Sequence, residues 1–303
     1  METAIRQQAT QPRFVYVSNH DGASLSVIDL ATNRIIKTIQ VGQLPNAITI
    51  SPDGTRVYVP NGGDNSISIV STETNEVIHT ITGVSVEPFG IALSASRNRL
   101  YVPSLFTGTI LVLNALTYRL IKEIPIGNGV AGGAVTPDES KIYITSLEKG
   151  ISIIDAATNK VIKVIAEPDS WSLTFSPSGG RYYVINEASN QLSVYGTRTN
   201  NRLARIPVGI APLATAISKD GKLAYVTNSV SNTVSVINME ANEVIQTIAV
   251  GDTPFLLSID YTDQRVYVTN FGSDTVSVID IRTNQVIQTI PAGPNPRGIT
   301  ITP

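Results

Sequence analysis

Hydrophobic and polar residues alternate along most of the chain with a period of two, which is typical of β-strands that bury one face. The alternating stretches are rich in Val, Ile, Thr and Tyr, and clusters of Asp, Asn, Pro and Gly separate them. In one representative stretch the turns SPDGT, NGGDN and ETN separate four predicted strands, at residues 45–51, 56–60, 66–71 and 76–82. No helical period competes with this pattern, so the sequence predicts an all-β protein.

The predicted four-strand unit repeats seven times along the chain. Each copy contains a tyrosine in a short motif that reads YVSN, YVPN or YVTN in its clearest forms, and successive tyrosines are 40 to 43 residues apart. The seven tyrosines are Tyr16, Tyr58, Tyr101, Tyr143, Tyr183, Tyr225 and Tyr267. A period of about 40 to 45 residues is that of one propeller blade. The predicted fold class is therefore an all-β, seven-bladed β-propeller with four-stranded antiparallel blades.

The two ends of the chain predict how the ring closes. No counterpart of the first strand of the unit precedes the first motif, whereas PRGITIT at residues 296–302 matches PNAITIS at 45–51. We expect the C-terminal strand to pair into the N-terminal blade, so that no blade face stays unpaired. The predicted organisation is an N-terminal extension at residues 1–13 and a single propeller domain at 14–303.

Composition and charge restrict the possible functions. Hydrophobic residues make up 42% and charged residues 15% of the 303 residues, which excludes a disordered chain. The net charge of -2 argues against nucleic acid or anionic lipid as a partner, since both are bound through dense basic surfaces. With no cysteine and only two histidines, the chain cannot build a thiolate or histidine-rich metal centre. The sequence predicts no metal and no cofactor.

The sequence also bears on location. The first 13 residues lack the apolar stretch of a secretory signal, and no run of about eighteen apolar residues offers a membrane span. We expect a soluble protein without a membrane partner. It would be cytoplasmic as written, and secreted or surface-associated if a signal peptide has been removed. We also expect a monomer.

The motifs resemble those of the YVTN β-propeller family, including its surface-layer-like members. The resemblance rests on Y-V-T-N at residues 225–228 and 267–270 and on the companion motifs SPDG and VSVID-x-x-TN, and it covers residues 14–303. It implies a seven-bladed propeller, and it implies little about activity because one fold hosts many functions. Family members are often secreted or surface-associated, and similar seven-bladed propellers include lactonases and lyases as well as binding proteins.

The antiparallel order sorts the turns of each blade, whose strands we name A to D, onto two ends of the propeller. The A–B and C–D turns share one end, here called the lower end, and are monotonous SPDG and TN sequences. The aspartates that precede TN turns, Asp29, Asp155 and Asp280, are interpreted as turn caps. The B–C and D–A connections share the other end, here called the upper end, and vary between blades. One residue near the start of each strand A should ring the upper mouth of the channel: Asn46, Phe89, Ala131, Trp171, Leu213, Phe255 and Arg297.

Aromatic residues concentrate at the upper end, where Trp171 and four of the six phenylalanines are found. Large amphipathic side chains at a concave mouth are suited to ligand recognition. The same side chains could instead plug the channel, and the sequence leaves both interpretations open. The predicted ligand-binding residues are Phe89, Phe106, Trp171, Phe255, Phe271, Asn46 and Lys149.

Charged residues also vary at the upper end. Glu148, Glu167 and Glu187 belong to an acidic group near blades 4 and 5, whereas His20 and Arg297 lie about half a ring away. A carboxylate facing His or Arg across a partly dry mouth could perform acid–base chemistry on an anionic substrate held by Arg297. The candidate catalytic residues are His20, Glu148, Glu187 and Arg297, although solvated loop charges would give the same pattern. His79 is expected on the outer edge of a blade.

Three functions are compatible with the sequence. The favoured one is a binding or interaction propeller that recognises a small molecule, glycan or peptide at its upper end. The alternative is an enzyme of the lactonase or lyase type with acid–base residues in the central cavity. Single-stranded nucleic acid is an unlikely third partner, because Lys149 and Arg297 are the cations near the aromatic residues.

Overall fold

The computed structural model describes residues 13–84, 87–262 and 264–303. These residues contain 28 β-strands in seven four-stranded antiparallel sheets, which confirms the seven-bladed all-β propeller. Within the described ranges, no helix has the length and apolar character needed to cross a membrane.

The strands follow one another blade by blade. Blade 1 combines three strands from the beginning of the chain with its last strand: β1 (Phe14–Asn19), β2 (Ser24–Asp29), β3 (Arg34–Gln40) and β28 (Pro296–Ile301). Blades 2 and 3 contain β4 (Thr49–Ile50), β5 (Arg56–Asn61), β6 (Ser66–Ser71), β7 (Glu76–Ile81), β8 (Ala92–Ser94), β9 (Arg99–Pro103), β10 (Thr109–Asn114) and β11 (Leu120–Pro125). Blades 4 and 5 contain β12 (Val130–Val135), β13 (Lys141–Ser146), β14 (Gly150–Asp155), β15 (Lys160–Ile165), β16 (Ser170–Phe175), β17 (Arg181–Asn186), β18 (Gln191–Gly196) and β19 (Arg202–Pro207). Blades 6 and 7 contain β20 (Pro212–Ile217), β21 (Leu223–Asn228), β22 (Thr233–Asn238), β23 (Glu243–Ala249), β24 (Pro254–Asp260), β25 (Arg265–Asn270), β26 (Thr275–Asp280) and β27 (Gln285–Pro291).

The ring closes between the two ends of the chain, as the sequence predicts. The sheet of blade 1 has the order β28-β1-β2-β3, and Tyr16 lies opposite Thr300 in the antiparallel pair of β28 with β1. Neighbouring blades contact each other mainly through their first strands, such as β24 with β28 and β12 with β16. Strands A therefore surround the central channel, and strands D form the outer edge.

The hydrophobic core lies between the faces of neighbouring blades. One cluster joins Val15 and Val17 of blade 1 to Tyr267 and Val276 of blade 7, and it includes Ile299 from the closing strand. Both faces of a blade are covered, so the middle strands are buried at almost every residue, including the serines that alternate with Leu and Val in β2. The alternation therefore does not mark one exposed face, contrary to what the sequence pattern predicts.

The repeated tyrosine and the repeated TN turn bind each other across the blade interfaces. The hydroxyl of Tyr225 donates to Oδ1 of Asn284 at 2.8 Å, and that of Tyr267 donates to Oδ1 of Asn33 at 2.9 Å. The same contact joins Tyr16 to Asn75, Tyr101 to Asn159 and Tyr143 to Asn200. The asparagine has a positive φ, 52° at Asn33 and Asn284, which asparagine adopts more readily than most residues. In five of the seven blades the sequence repeat thus encodes a hydrogen bond to the next blade, whereas Oδ1 of Asn242, the counterpart for Tyr183, is buried without a partner.

The turn-capping role of the TN-turn aspartates is confirmed. Asp29, Asp155 and Asp280 accept hydrogen bonds of 2.8–3.1 Å from backbone N–H groups two or three residues further along the chain.

The first strand of blade 2 is shorter than the sequence predicts. Its ladder covers two residues of the predicted 45–51, and Pro45 pairs with Asn61 as an isolated bridge. The reason is a contact with the next blade, since the N–H of Ala47 donates to the carbonyl of Phe89 at 3.0 Å.

Removal of the Tyr225 hydroxyl should lower the free energy of unfolding by about 1 kcal/mol, because Oδ1 of Asn284 loses its donor between two blades. Urea denaturation of Tyr225→Phe, Asn284→Gly and the double variant measures the coupling of the two residues, and glycine tolerates the positive φ at position 284. We expect a coupling energy of about 1 kcal/mol. Additive effects would show that the hydrogen bond does not hold the blades together.

Candidate functional site

Every strand A begins with the same backbone irregularity at the upper end. The residue two positions before the predicted ring residue has a positive φ in all seven blades: Leu44, Glu87, Gly129, Asp169, Ala211, Thr253 and Asn295. In blade 6, Pro212 pairs with Asn228 and Ala214 pairs with Thr227, so Leu213 is the extra residue of a β-bulge. Bulges redirect a side chain away from the regular ladder. This backbone feature sets the position of the predicted ring of one residue per blade.

Arg297 occupies the ring position of blade 1 and reaches across the channel. Its guanidinium carbon lies 4.9 Å from the ring centroid of Phe89 and 4.7 Å from that of Phe255, so the cation lies over the rings of both. Nη1 donates to Oδ1 of Asn46 at 2.7 Å. The ring positions of blades 1, 2, 3 and 7 therefore meet around one guanidinium.

The guanidinium of Arg297 has no carboxylate partner among the described residues. The ion pairs found in these residues involve other arginines and lysines. Nε is buried without a hydrogen-bond partner, and the polar contacts of the guanidinium with described residues involve Nη1. Burial lowers the pKa of Arg297 to about 10, an effect that the charges of Glu87 and Asp21 oppose. The residue stays protonated at neutral pH and retains donors for an anion.

His20 lies in the B–C connection of blade 1, beside Arg297. Its backbone N–H donates to the carbonyl of Asn295 at 3.0 Å, and its Nδ1 lies 3.2 Å from the carbonyl of Pro45. Nη1 of Arg297 lies 3.4 Å from Nδ1 and 3.5 Å from Nε2 of the imidazole. Burial, and next the positive charge of Arg297, lower the pKa of His20 below its ordinary value of 6.5. His20 is therefore neutral at pH 7, and donation from Nδ1 to Pro45 leaves the Nε2 lone pair as an acceptor.

Four of the five predicted aromatic residues join this arrangement. Phe89 and Trp171 form an edge-to-face pair at 5.5 Å, and Phe271 lies 6.0 Å from Phe255 and 6.1 Å from the imidazole of His20. We call the set the upper cluster; its members are His20, Asn46, Phe89, Trp171, Phe255, Phe271 and Arg297.

The side chains of the upper cluster fill much of the channel mouth. Phe89 is only 6% exposed, whereas Trp171, Phe255 and Phe271 are half-buried. Side chains from blades 1, 3, 5 and 7 meet over the axis. Phe89 is the most deeply buried of these side chains. The arrangement is compatible both with a plug of the channel and with ligand recognition.

Phe106 and Lys149, the other two predicted ligand-binding residues, lie outside the upper cluster. Phe106 is 64% exposed in the β9–β10 connection and makes no ring contact with another described aromatic residue. Lys149 is exposed in the β13–β14 turn, where its aliphatic chain lies over Gly127. Their proposed roles remain predictions.

The structure does not bring Glu148 and Glu187 to His20 and Arg297. Glu148 is exposed at the tip of the tight β13–β14 turn. Glu187 is half-buried, and burial together with the charge of Asp169 raises its pKa. The carboxylates whose charges act on both His20 and Arg297 are Asp21 and Glu87.

Asp21 and Glu87 are also among the charged residues that vary at the upper end, and their positions in the sequence distinguish them from Glu148 and Glu187. Asp21 follows His20 directly, and Glu87 precedes the ring residue Phe89 by two positions. The signal is closeness in sequence to His20 or to a ring residue, which is more informative here than the local density of acidic residues.

Glu167 also differs from the expectation that it is a loop charge at the mouth. Its side chain is buried and pairs with Arg202 at 2.8 Å and with Arg205 at 3.6 Å. The Ser193 hydroxyl donates to it at 3.1 Å. These partners belong to β18 and β19, so Glu167 ties its loop to the outer half of blade 5. In the described part of the chain, no three His, Asp or Glu side chains come close enough together to hold a metal ion.

Comparison with protein families gives one partial match. The model of a family described as Lactonase, 7-bladed beta-propeller, matches residues 171–290, which span blades 5 to 7. Three members of the upper cluster, Trp171, Phe255 and Phe271, fall within the match. No curated protein sequence matches the chain.

Solved structures share the fold at low sequence identity. A Lactobacillus plantarum protein is 20% identical with a TM-score of 0.83, and the match covers 96% of this chain and 99% of that one. A functionally unknown protein from Desulfotomaculum acetoxidans is 17% identical with a TM-score of 0.82, over 95% and 98% of the two chains. A Bacteroides uniformis protein whose structure was solved as a candidate 6-phosphogluconolactonase is 15% identical with a TM-score of 0.81, over 96% and 100%. The chain is thus a seven-bladed propeller that is similar, over blades 5 to 7, to the seven-bladed lactonases.

Proposed function

We propose that the protein hydrolyses a lactone that carries an anionic group, and that the reaction takes place at the upper cluster. The observation that carries this proposal is the guanidinium of Arg297, which is buried between Phe89 and Phe255 without a carboxylate partner in the described chain. A buried cation with free donors suits a carboxylate or phosphate, since such charge-assisted hydrogen bonds are strong. The partial match to the lactonase family supports the reaction class.

The chemistry assigns separate roles to Arg297 and His20. Arg297 holds the anionic group of the substrate and fixes the lactone ring beside the imidazole. Nε2 of neutral His20 takes a proton from a water molecule, whose oxygen attacks the lactone carbonyl carbon. The ring C–O bond then breaks, the imidazolium returns the proton to the leaving alkoxide, and the product is a hydroxy acid. Phe89 and Phe255 keep water away from the ion pair, which strengthens it.

A comparison of two substrates tests the proposal. 6-Phosphogluconolactone and unphosphorylated gluconolactone share a ring and differ in one phosphate. We expect kcat/KM to be about 100-fold higher for the phosphorylated lactone, which corresponds to the strength of a buried charge-assisted contact. Equal kcat/KM values for the two lactones would show that Arg297 does not bind the substrate. Absence of turnover with lactones of any charge would refute the proposed enzymatic function.

His20→Gln should reduce kcat/KM by about 100-fold or more, because the general base is lost. In the unsubstituted protein, kcat/KM should fall on the acid side with a midpoint below pH 6.5. Activity is lost towards acid pH because the base must be neutral, and His20 stays neutral until the pH falls through its lowered pKa.

The matched control is His79→Gln. His79, the other histidine, is exposed on the outer strand β7 and stacks on Tyr118 at 4.6 Å. Its variant should keep the full rate and the same pH profile. An acid limb centred above pH 6.5, or equal losses in the two variants, would exclude His20 as the base.

Anion binding without chemistry is the second candidate, and one observation favours it. Glu148 and Glu187, the predicted acids, are not among the groups whose charges act on His20. A binding propeller of this kind would take up 6-phosphogluconate at the upper cluster without any turnover. Calorimetric titration with 6-phosphogluconate, combined with the rate measurements, separates the two candidates. The YVTN motifs are compatible with both.

A further inference from the structure

The channel holds a second feature at its lower end. A cavity of about 590 Å³ opens there, between the second halves of the inner strands. Its walls come mainly from β16, β20, β24 and β28, which belong to four consecutive blades around the ring. This volume lies within the range of about 300 to 1,000 Å³ that is usual for small-molecule sites.

The lower cavity is separate from the upper cluster. On β28 the two sites are represented by Arg297 and Ile301, which are four residues apart. At a rise of about 3.4 Å per residue, this separation is about 13 Å. The upper cluster fills the upper mouth of the channel, so a ligand reaches the lower cavity from the lower end.

The walls of the cavity are largely apolar. Phe175, Ile217, Ile259 and Ile301 occupy the same position in four successive strands, and Leu257 lies beside them. Contact between such side chains and an apolar ring system is favourable because it removes apolar surface from water.

Oγ1 of Thr215, which lines the same cavity, is buried without a hydrogen-bond partner. Together with the hydroxyls of Thr174, Ser258 and Thr300, which bond to no other described residue, four hydroxyl groups line the cavity walls. One comes from each of the four strands that build the walls. By contrast, Thr49, which lies in the equivalent strand of blade 2, donates to the carbonyl of Ile91 at 2.7 Å. Unpartnered hydroxyls that converge on an apolar cavity are suited to orient a ligand with its own polar groups.

The charged groups at the rim of the cavity neutralise each other. Arg13 donates from Nη2 to Asp260 at 2.6 Å, and the Asp260 side chain is fully buried. The remaining donors of Arg13 point to Asp260 and to the carbonyls of Thr302 and Pro303. No cation is therefore left for an anionic ligand in the described lining, in contrast to the upper cluster.

We propose that the lower cavity is a binding site for an uncharged small molecule that combines an apolar ring system with hydroxyl or carbonyl groups. The apolar side chains cover the ring, and the hydroxyls of β16, β20, β24 and β28 bond to its polar groups. The site is independent of the proposed lactone hydrolysis.

The test uses 2-naphthol and 2-naphthalenesulfonate, which share a ring system and differ in charge. Calorimetric titration of the full chain should show one saturable site for 2-naphthol and at least about 10-fold weaker binding of the sulfonate, because a buried sulfonate would find no free cation. No saturable binding of 2-naphthol, or equal binding of both probes, would overturn the proposal.

Cavity-filling variants locate the site. Ala216 and Ser258 line the cavity and are half-buried, so Ala216→Leu and Ser258→Leu should each weaken 2-naphthol binding about 10-fold or more. Two variants on different strands are used so that failure of one to fold does not end the test. Arg297→Met should bind 2-naphthol as the unsubstituted protein does. If folded Leu variants keep full affinity, or if Arg297→Met loses it, the lower cavity is not the site.

Discussion

Arg297→Met should reduce the affinity for 6-phosphogluconate and the kcat/KM for its lactone by about 100-fold each. Methionine fits between the rings of Phe89 and Phe255 but leaves the phosphate without the buried donors that held it. The affinity and kcat/KM of Arg297→Lys should lie between those of the unsubstituted protein and of Arg297→Met, since an ammonium keeps the charge but loses the planar guanidinium fork. Calorimetric titration and steady-state kinetics measure both effects.

The control for Arg297→Met is Arg198→Met, at an exposed position on the lower end. It removes the same net charge far from the upper cluster and should leave both quantities unchanged. A similar loss in both variants would indicate a general effect of net charge. Full activity of Arg297→Met would exclude the upper cluster as the anion site.

Ile299→Ala should lower the free energy of unfolding by about 3 kcal/mol, which is the usual cost of emptying a buried isoleucine site. Ile299 is 6% exposed on the closing strand and packs against blade 7 as well as blade 1. The effect is large because β28 brings together the two ends of the chain, so its core contacts hold the whole ring closed.

Ile287→Ala provides the comparison for Ile299→Ala, because it makes the same chemical change at a position that is 50% exposed on the outermost strand of blade 7. It should cost less than about 1 kcal/mol. Urea denaturation of both variants gives the two values. Equal costs would mean that the closing strand adds little to stability.

The fold could be predicted because the sequence is periodic at two levels, that of the strand and that of the blade. Alternating residues define the strands, the tyrosine spacing defines the blades, and the match of residues 296–302 to 45–51 defines the closure. The hydrogen bonds that join five of the repeat tyrosines to an asparagine of the next blade could not be foreseen, since sequence spacing does not show which side chains meet between blades.

The candidate site could be predicted only in part. The position of the ring residues follows from the repeat, but the reach of each side chain does not. Arg297 contacts Phe89, two blades away around the ring, because both side chains are long enough to cross the axis. Phe106 lies in the β9–β10 connection at the same end, but its side chain does not reach the axis and stays exposed.

The lower cavity leaves almost no trace in the sequence. Thr174, Thr215, Ser258 and Thr300 are ordinary residues of alternating strands, and the turns nearby are the most regular of the chain. What distinguishes them is that they face one cavity and that the buried hydroxyl of Thr215 has no hydrogen-bond partner, which are properties of the packed structure.

The central claim, that a free cation at the upper cluster binds an anion beside a neutral histidine, is tested most directly by an NMR titration of His20. We expect a pKa below 6.5 in the unliganded protein and a higher pKa when 6-phosphogluconate saturates the site, because the bound anion offsets the charge of Arg297. The His79 signal in the same spectra serves as an internal reference and should not respond to the ligand. An initial pKa of 6.5 or above for His20, or no change on adding 6-phosphogluconate, would contradict the account.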